Sequence, residues 1–236
     1  MALSINRENF VLHRIHSLTG VMPVGYYMVQ HLVLNSNSLI SPEKFNGVIE
    51  FFEGLPKPFL IALEVGMIWL PLLFHAIYGL FIISRAESNY LTSKYKWSQN
   101  RMFFLQRLSG VLVFFYLIYH VITTTGAKYV SGTADIIKYN AMSEKLHNPL
   151  VLAIYMLGII SASYHLGYGL WNFCIRWGIT VKDEAQVRIQ KISPVVFVAL
   201  TLIGWGALAG FFIHNKTEQT VAETSQMSGA KINLTR

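Results

Sequence analysis

Five stretches of this chain, residues 17–35, 59–84, 102–124, 149–175 and 192–214, are apolar over the roughly twenty residues that a helix needs to cross a bilayer core. Hydrocarbon offers no water to backbone N–H and C=O groups, so such segments span as helices that pair these groups internally. Composition agrees: 13% of residues are charged, where a soluble domain carries about 25%. The mean hydropathy is +0.42. The expected fold is an all-α membrane protein with five transmembrane helices in residues 1–214. Pro23 and Pro71 fall inside spans and are expected to bend rather than end them. After His214 the chain turns polar (NKTEQTVAETSQMSGAKINLTR) and lacks a core-forming pattern. It reads as a separate tail, 215–236, mobile or held by a partner.

A net charge of +7 raises the possibility of nucleic acid binding. The basic residues, however, sit in short connections between apolar runs, with no basic stripe and no RNA-binding signature. They read as topogenic charge. One side holds Arg7, Arg14, Arg85, Lys94, Lys96, Arg101, Arg107, Arg176, Lys182, Arg188 and Lys191. The other side has only lysines (Lys44, Lys57, Lys128, Lys138, Lys145) before the tail with Arg236. The arginine-rich side is then cytoplasmic, which puts the N-terminus inside and the C-terminus outside. No small-residue cleavage site follows the first apolar run, so no removable signal peptide is expected. The single cysteine, Cys174, excludes disulfides, iron–sulfur clusters and CxxCH haem attachment within this chain. It reads as a small buried side chain.

Each of the first four spans carries one histidine at depth: His31, His75, His120 and His165. A polar ring there is costly in lipid and should face a partner inside the bundle. His75 is ten residues from Arg85 and His165 eleven from Arg176, which places both roughly 15–17 Å from the cytoplasmic edge. His120 and His31 are thirteen and seventeen residues from Arg107 and Arg14, roughly 20–25 Å deep. The four sort into an inner pair, His75 with His165, and an outer pair, His31 with His120. Repetition sorts them the same way. The inner pair shares H-x-x-Y-G-L, while the helix entries His16-Ser-Leu-Thr-Gly20 and Gln106-Arg-Leu-Ser-Gly110 precede the outer pair. His31 to His120 is 89 residues and His75 to His165 is 90, so the first four helices read as two duplicated hairpins.

Two imidazoles at each of two depths suit bis-histidine ligation of haem iron: both axial positions are filled, and the iron is left suited to electron transfer. Two haems b are therefore expected, with glycines leaving room for flat macrocycles between helices. Zinc or a proton relay would want carboxylates or cysteines beside the histidines, and none lies there. Haem propionates need donors, and His16, Ser17 and Arg176 stand at the cytoplasmic end, with Arg176 three turns below His165. Topology anchoring explains such arginines equally well. Two carboxylates at the outer end, Glu53 and Glu64, are candidates for exchanging protons with a quinone, whose reduction takes up two protons with two electrons. A solvated loop acid at Glu53, and a pair between Glu64 and Lys57, are the plainer readings.

Taken together, RIHSLTGVMPVGYYMVQH (14–31), FFEGLP (51–56), ALE (62–64), LPLLFHAIYGL (70–80), LQRLSG (105–110), YHLGYGLW (164–171) and RWGI (176–179) resemble the dihaem cytochrome b subunit of succinate:quinone oxidoreductases. The likeness is to the five-helix, single-anchor type found with menaquinone in bacteria, and it covers about residues 7–210. It implies a multi-pass subunit of the bacterial inner membrane that anchors a flavoprotein and an iron–sulfur protein on the cytoplasmic side. Electrons would pass from the iron–sulfur subunit through the haem on His75 and His165, then the haem on His31 and His120, to menaquinone or another quinone. The resemblance assigns Glu53 to the quinone site and places His16, Ser17 and Arg176 near inner-haem propionates. Some fumarate reductases of the family carry a glutamate two residues before the fourth-helix histidine, where this chain has Ser163. That departure tilts the reading toward succinate oxidation. The alternatives are the same subunit in a quinol:fumarate reductase, the cytochrome b anchor of a hydrogenase or formate dehydrogenase, a transporter with histidines in a polar pathway, and an anchor without haem.

Overall fold

The structure is a computed structural model that describes residues 2–85 and 98–233, with side chains for 10–85 and 100–214. Lys94, Lys96, Arg236 and the side chain of Arg7, all part of the charge pattern, lie outside the described residues. Everything regular among the described residues is helical.

The first expected span is built from two helices, α1 (Ala2–Val21) and α2 (Pro23–Asn35). Between them Met22 keeps a helical backbone and donates its N–H to the Leu18 carbonyl at 2.8 Å. Pro23 has no N–H, so the ladder skips one rung there and continues. A short 3₁₀ turn (Ser36–Leu39) leads to α3 (Pro42–Glu53), whose start is capped by Ser41 Oγ accepting from the Lys44 N–H. The second span joins α4 (Lys57–Leu63), a π-helical segment (Glu64–Trp69) and α5 (Leu70–Ser84). The widened turns end where Pro71 removes another donor, a usual accommodation to a missing rung. The third span is α6 (Ser98–Val121), a π segment (Ile122–Gly126) and α7 (Ala127–Ser131). After α8 (Tyr139–Leu146), Asn148 Oδ1 accepts from the N–H of Leu150 and opens α9 (Pro149–Arg176). The chain closes with α10 (Asp183–Asn233).

Among the described residues, four helices are long and apolar enough to cross a membrane: Lys57–Ser84, Asn100–Ser131, Pro149–Arg176 and Asp183–His214. The segment 17–35 is not a single helix of that kind, because Pro23 divides it and α2 alone has 13 residues. The backbone of α10 runs unbroken through His214 to Asn233, so 214 marks a change of composition and not a helix end. Extending an existing helix avoids the unfavourable nucleation step.

Helix α9 is the hub, packed along α10, α6 and α1, while α5 packs along α1. The backbones of α2 and α6 scarcely approach each other, nor do those of α5 and α9. At the end carrying α3 and α8, Phe45, Tyr139, Met142, Leu146, Tyr155, Ile159, Leu208 and Phe211 form a buried cluster. Polar groups from the caps tie that end to the last helix. Ser38 Oγ donates to the Ala207 carbonyl at 2.7 Å, Tyr139 Oη to the Gly210 carbonyl at 2.8 Å, and Ser143 Oγ to the Phe211 carbonyl at 2.9 Å. Buried hydroxyls thus find the free lone pairs of helix carbonyls instead of water.

Candidate functional site

His75 on α5 and His165 on α9 face each other with ring centroids 6.0 Å apart and planes at 83°. His31 on α2 and His120 on α6 do the same at 5.9 Å and 82°. These are the two pairs expected from depth and repetition, and each bridges helices whose backbones stay apart.

The inner rings are oriented by the duplicated helix entries. His75 Nδ1 lies 2.8 Å from the carbonyl oxygen of His16, and His165 Nδ1 3.1 Å from that of Gln106. A carbonyl only accepts, so each Nδ1 carries the proton and donates, which leaves Nε2 as a free base. His16 and Gln106 hold equivalent positions in the repeat. So do Gly20 and Gly110: a Cβ on Gly20 would overlap the His75 ring, and one on Gly110 would come within 2.9 Å of His165 Cε1. The outer rings are held by aromatic neighbours one turn earlier. Tyr27 lies 5.5 Å from His31 and Tyr116 5.6 Å from His120, while Tyr155 adds an edge contact to His120 at 5.6 Å.

Among the described residues no three His, Cys, Asp or Glu side chains converge on a metal-sized site. Two imidazoles alone fit a group that brings its other donors with it, as an iron porphyrin does. A ring spacing of 5.9–6.0 Å leaves room for one ion between two imidazole nitrogens, so at each level the facing pair would hold it. An Nδ1–H held by a backbone carbonyl is also the usual second contact of a ligating histidine. The residues present fit haem at both levels.

The remaining residues singled out at the inner end do gather there. The His16 ring stacks on His75 at 4.0 Å and 13°. Ser17 Oγ accepts from Trp177 Nε1 at 3.1 Å, next in sequence to Arg176. Arg14 Nε donates to the Arg176 carbonyl at 3.4 Å and its guanidinium lies over the Trp177 ring. Position Ser163, on the same helix as His165, is fully buried.

At the other end the two carboxylates are brought into one cluster by adjacent residues of α7. Lys128 Nζ pairs with Glu53 Oε1 at 2.7 Å, and Tyr129 Oη donates to Glu64 Oε2 at 2.8 Å. Glu53 closes α3 and its side chain is 41% exposed, so it is a tethered acid and not merely a solvated one. Glu64 takes the tyrosine hydroxyl as its partner where Lys57 was the simpler expectation. A cleft of about 670 Å³ lies nearby, lined by Gln30, Leu34, Gly47, Val48, Phe51 and Phe52 among others. Neither carboxylate lines it.

Sequence reasoning missed Gln106, Lys128, Tyr129 and Lys145. Gln106 was visible as the counterpart of His16 in the repeat. The others lie between His120 and His165, outside the repeated motifs, where one-dimensional spacing carries no information about contacts.

Residues 83–208, just over half of the chain, match the family described as the succinate dehydrogenase/fumarate reductase transmembrane subunit. The chain is 36% identical over 209 residues to the succinate dehydrogenase cytochrome b558 subunit of Bacillus subtilis, covering 89% of this chain and 100% of that one. It is 25% identical over 229 residues to the fumarate reductase cytochrome b subunit of Helicobacter pylori, covering 91% and 87%. With helices long and apolar enough to cross a membrane and a full-length relative at this identity, the chain belongs to the family of succinate dehydrogenase/fumarate reductase transmembrane subunits.

Proposed function

We propose that this chain is the dihaem, quinone-reactive anchor of a succinate dehydrogenase, with five spans whose first four form the haem-binding bundle. His75 and His165 hold the inner haem b through Nε2, and His31 and His120 hold the outer one. Haem b bound this way supplies one-electron carriers between the cytoplasmic and outer sides of the membrane. His16, Ser17 and Arg176 serve the carboxylates of the inner group: an imidazole, a hydroxyl and a guanidinium are the donors such anions need, and all three residues belong to the arginine-rich end. A flavoprotein and an iron–sulfur protein dock at the arginine-rich cytoplasmic face.

Quinone, menaquinone in the family the chain resembles, is the substrate at the outer end. Glu53 passes a proton between its carboxylate and a quinone oxygen, with Lys128 positioning the carboxylate through their ion pair. Glu64, tied to Tyr129, offers a second proton-exchanging oxygen in the same cluster. Ser163 stands where some fumarate reductases of the family have glutamate, which favours succinate oxidation as the working direction.

The observation that carries this reading is the doubled constellation: two histidine pairs at about 6 Å, each between helices that otherwise stand apart. The test is a reduced-minus-oxidised spectrum of the purified complex with its haem-to-flavin ratio. Two low-spin haems b per flavin are expected. A colourless, correctly assembled complex would overturn the reading, and one haem per flavin would remove one of the two sites.

A further inference from the structure

Lys145 is a charge that the reading above leaves without a task. It stands in the last turn of α8, the short helix folded over the outer end. Its Nζ donates to the Thr123 carbonyl at 2.9 Å and to Thr123 Oγ1 at 2.8 Å. The same nitrogen lies 5.6 Å from the centre of the Tyr155 ring and 5.8 Å from that of Tyr119. Tyr155 is also the edge neighbour of His120, at 5.6 Å. The ammonium and an outer-pair imidazole therefore rest against one aromatic ring. Thr123, three residues after His120, links the two again, its Oγ1 lying 3.4 Å from the His120 carbonyl.

Two neighbouring lysines of this end have carboxylate partners: Lys128 has Glu53, and Lys138 has Asp135 and Glu50. No carboxylate lies within ion-pair distance of Lys145 among the described residues. Burial alone pushes its pKa down. An ammonium taken partly out of water and solvated only by dipoles and ring faces is costly to keep. It acts as a positive charge directed at whatever shares the site.

Resting on the haem reading above, we propose that Lys145 is the fixed positive charge of the outer haem site and holds the reduction potential of that haem up. Reduction adds one electron to the group between His31 and His120. A cation nearby, in a medium of low dielectric, favours the added negative charge. The inner pair, on α5 and α9 nearer the opposite end, is screened by distance. The difference in potential between the two haems is thus set partly by a residue that ligates neither.

The test is a potentiometric titration of the whole complex carrying Lys145→Met, Lys145→Gln or Lys145→Arg, with the haem bands resolved. Lys145→Met and Lys145→Gln should lower the midpoint of one haem, the one whose band is lost in His31→Ala and His120→Ala. The other midpoint should stay in place, and both bands should persist. Lys145→Arg should keep the midpoint close to that of the unaltered chain. Lys145→Gln retains a donor for Thr123 and carries the test if the methionine variant does not assemble. An unmoved midpoint in the neutral variants, or equal displacement of both, overturns the proposal and leaves the haem assignment intact. A complex that keeps both bands when His31 is replaced overturns the haem assignment itself.

Discussion

Four nitrogen atoms decide what this bundle can hold. For His75 and His165 a backbone carbonyl takes the Nδ1 proton, so Nε2 is the basic atom directed away from the helix entry. Pairing then follows from which rings meet, and it makes a prediction that no sequential arrangement shares. His75→Ala and His165→Ala should each remove the same haem band, and His31→Ala and His120→Ala the other; redox titration of the four variants checks this, and mixed losses would refute the pairing. At the outer end, Glu53→Gln keeps the shape of the side chain but removes the proposed proton-exchanging group and its ion pair with Lys128. Quinone reductase turnover should fall by about 10²-fold or more, the usual contribution of a positioned acid or base, with both haem bands retained. Turnover equal to the parent's would exclude Glu53 from the chemistry.

Helices enter the site through positions that recur. On α1, His16 and Gly20 present a carbonyl and a bare backbone to His75; on α6, Gln106 and Gly110 do so for His165. The lack of a side chain at Gly20 is what lets α1 and α5 approach closely enough for the His16–His75 bond. Gly20→Val should therefore displace the His75 ring, at a cost of about 1–3 kcal/mol for overpacking. The inner band should be lost or turn high-spin while the outer band stays, and a spectrum with both bands unchanged would show that the ring has room to spare. The second span shows a different use of an element. Its window of mean hydropathy 2.0 has no buried residue, so its side chains face lipid, a partner, or the space between α5 and α9.

For the molecule as a whole, the proposed orientation rests on arginine placement and the two ends of the bundle. The inner end holds Arg14, Arg107 and Arg176, while the outer end is capped by α3 and α8 and carries lysines. In a chain carrying Cys174→Ser, a membrane-impermeant maleimide should label Lys44→Cys in intact cells. It should label Lys182→Cys only after the membrane is opened, and the reverse pattern would invert the topology. Helix α10 adds a feature of scale. At about 1.5 Å per residue its 51 residues extend roughly 75 Å, well beyond a bilayer core of about 30 Å.

The sequence by itself determined the class, the positions of the spans after the first, and the sorting of the four histidines. Those properties are written along one dimension: hydrophobic length sets a span, distance from an arginine sets depth, and duplication sets which residues are equivalent. Tertiary structure alone decided the rest. Tyr129 came to Glu64, Lys128 to Glu53 and Lys145 to the edge of the outer pair because connections fold back over the bundle, and such contacts depend on loop paths that no periodicity encodes. It also decided that the first span would be two helices meeting at Met22, with the ladder missing its rung at Pro23, and that the backbone of α10 would continue past the last apolar residue. In both cases backbone hydrogen bonding, a donor missing at one place and a ladder free to extend at the other, outweighed the boundary that composition suggested.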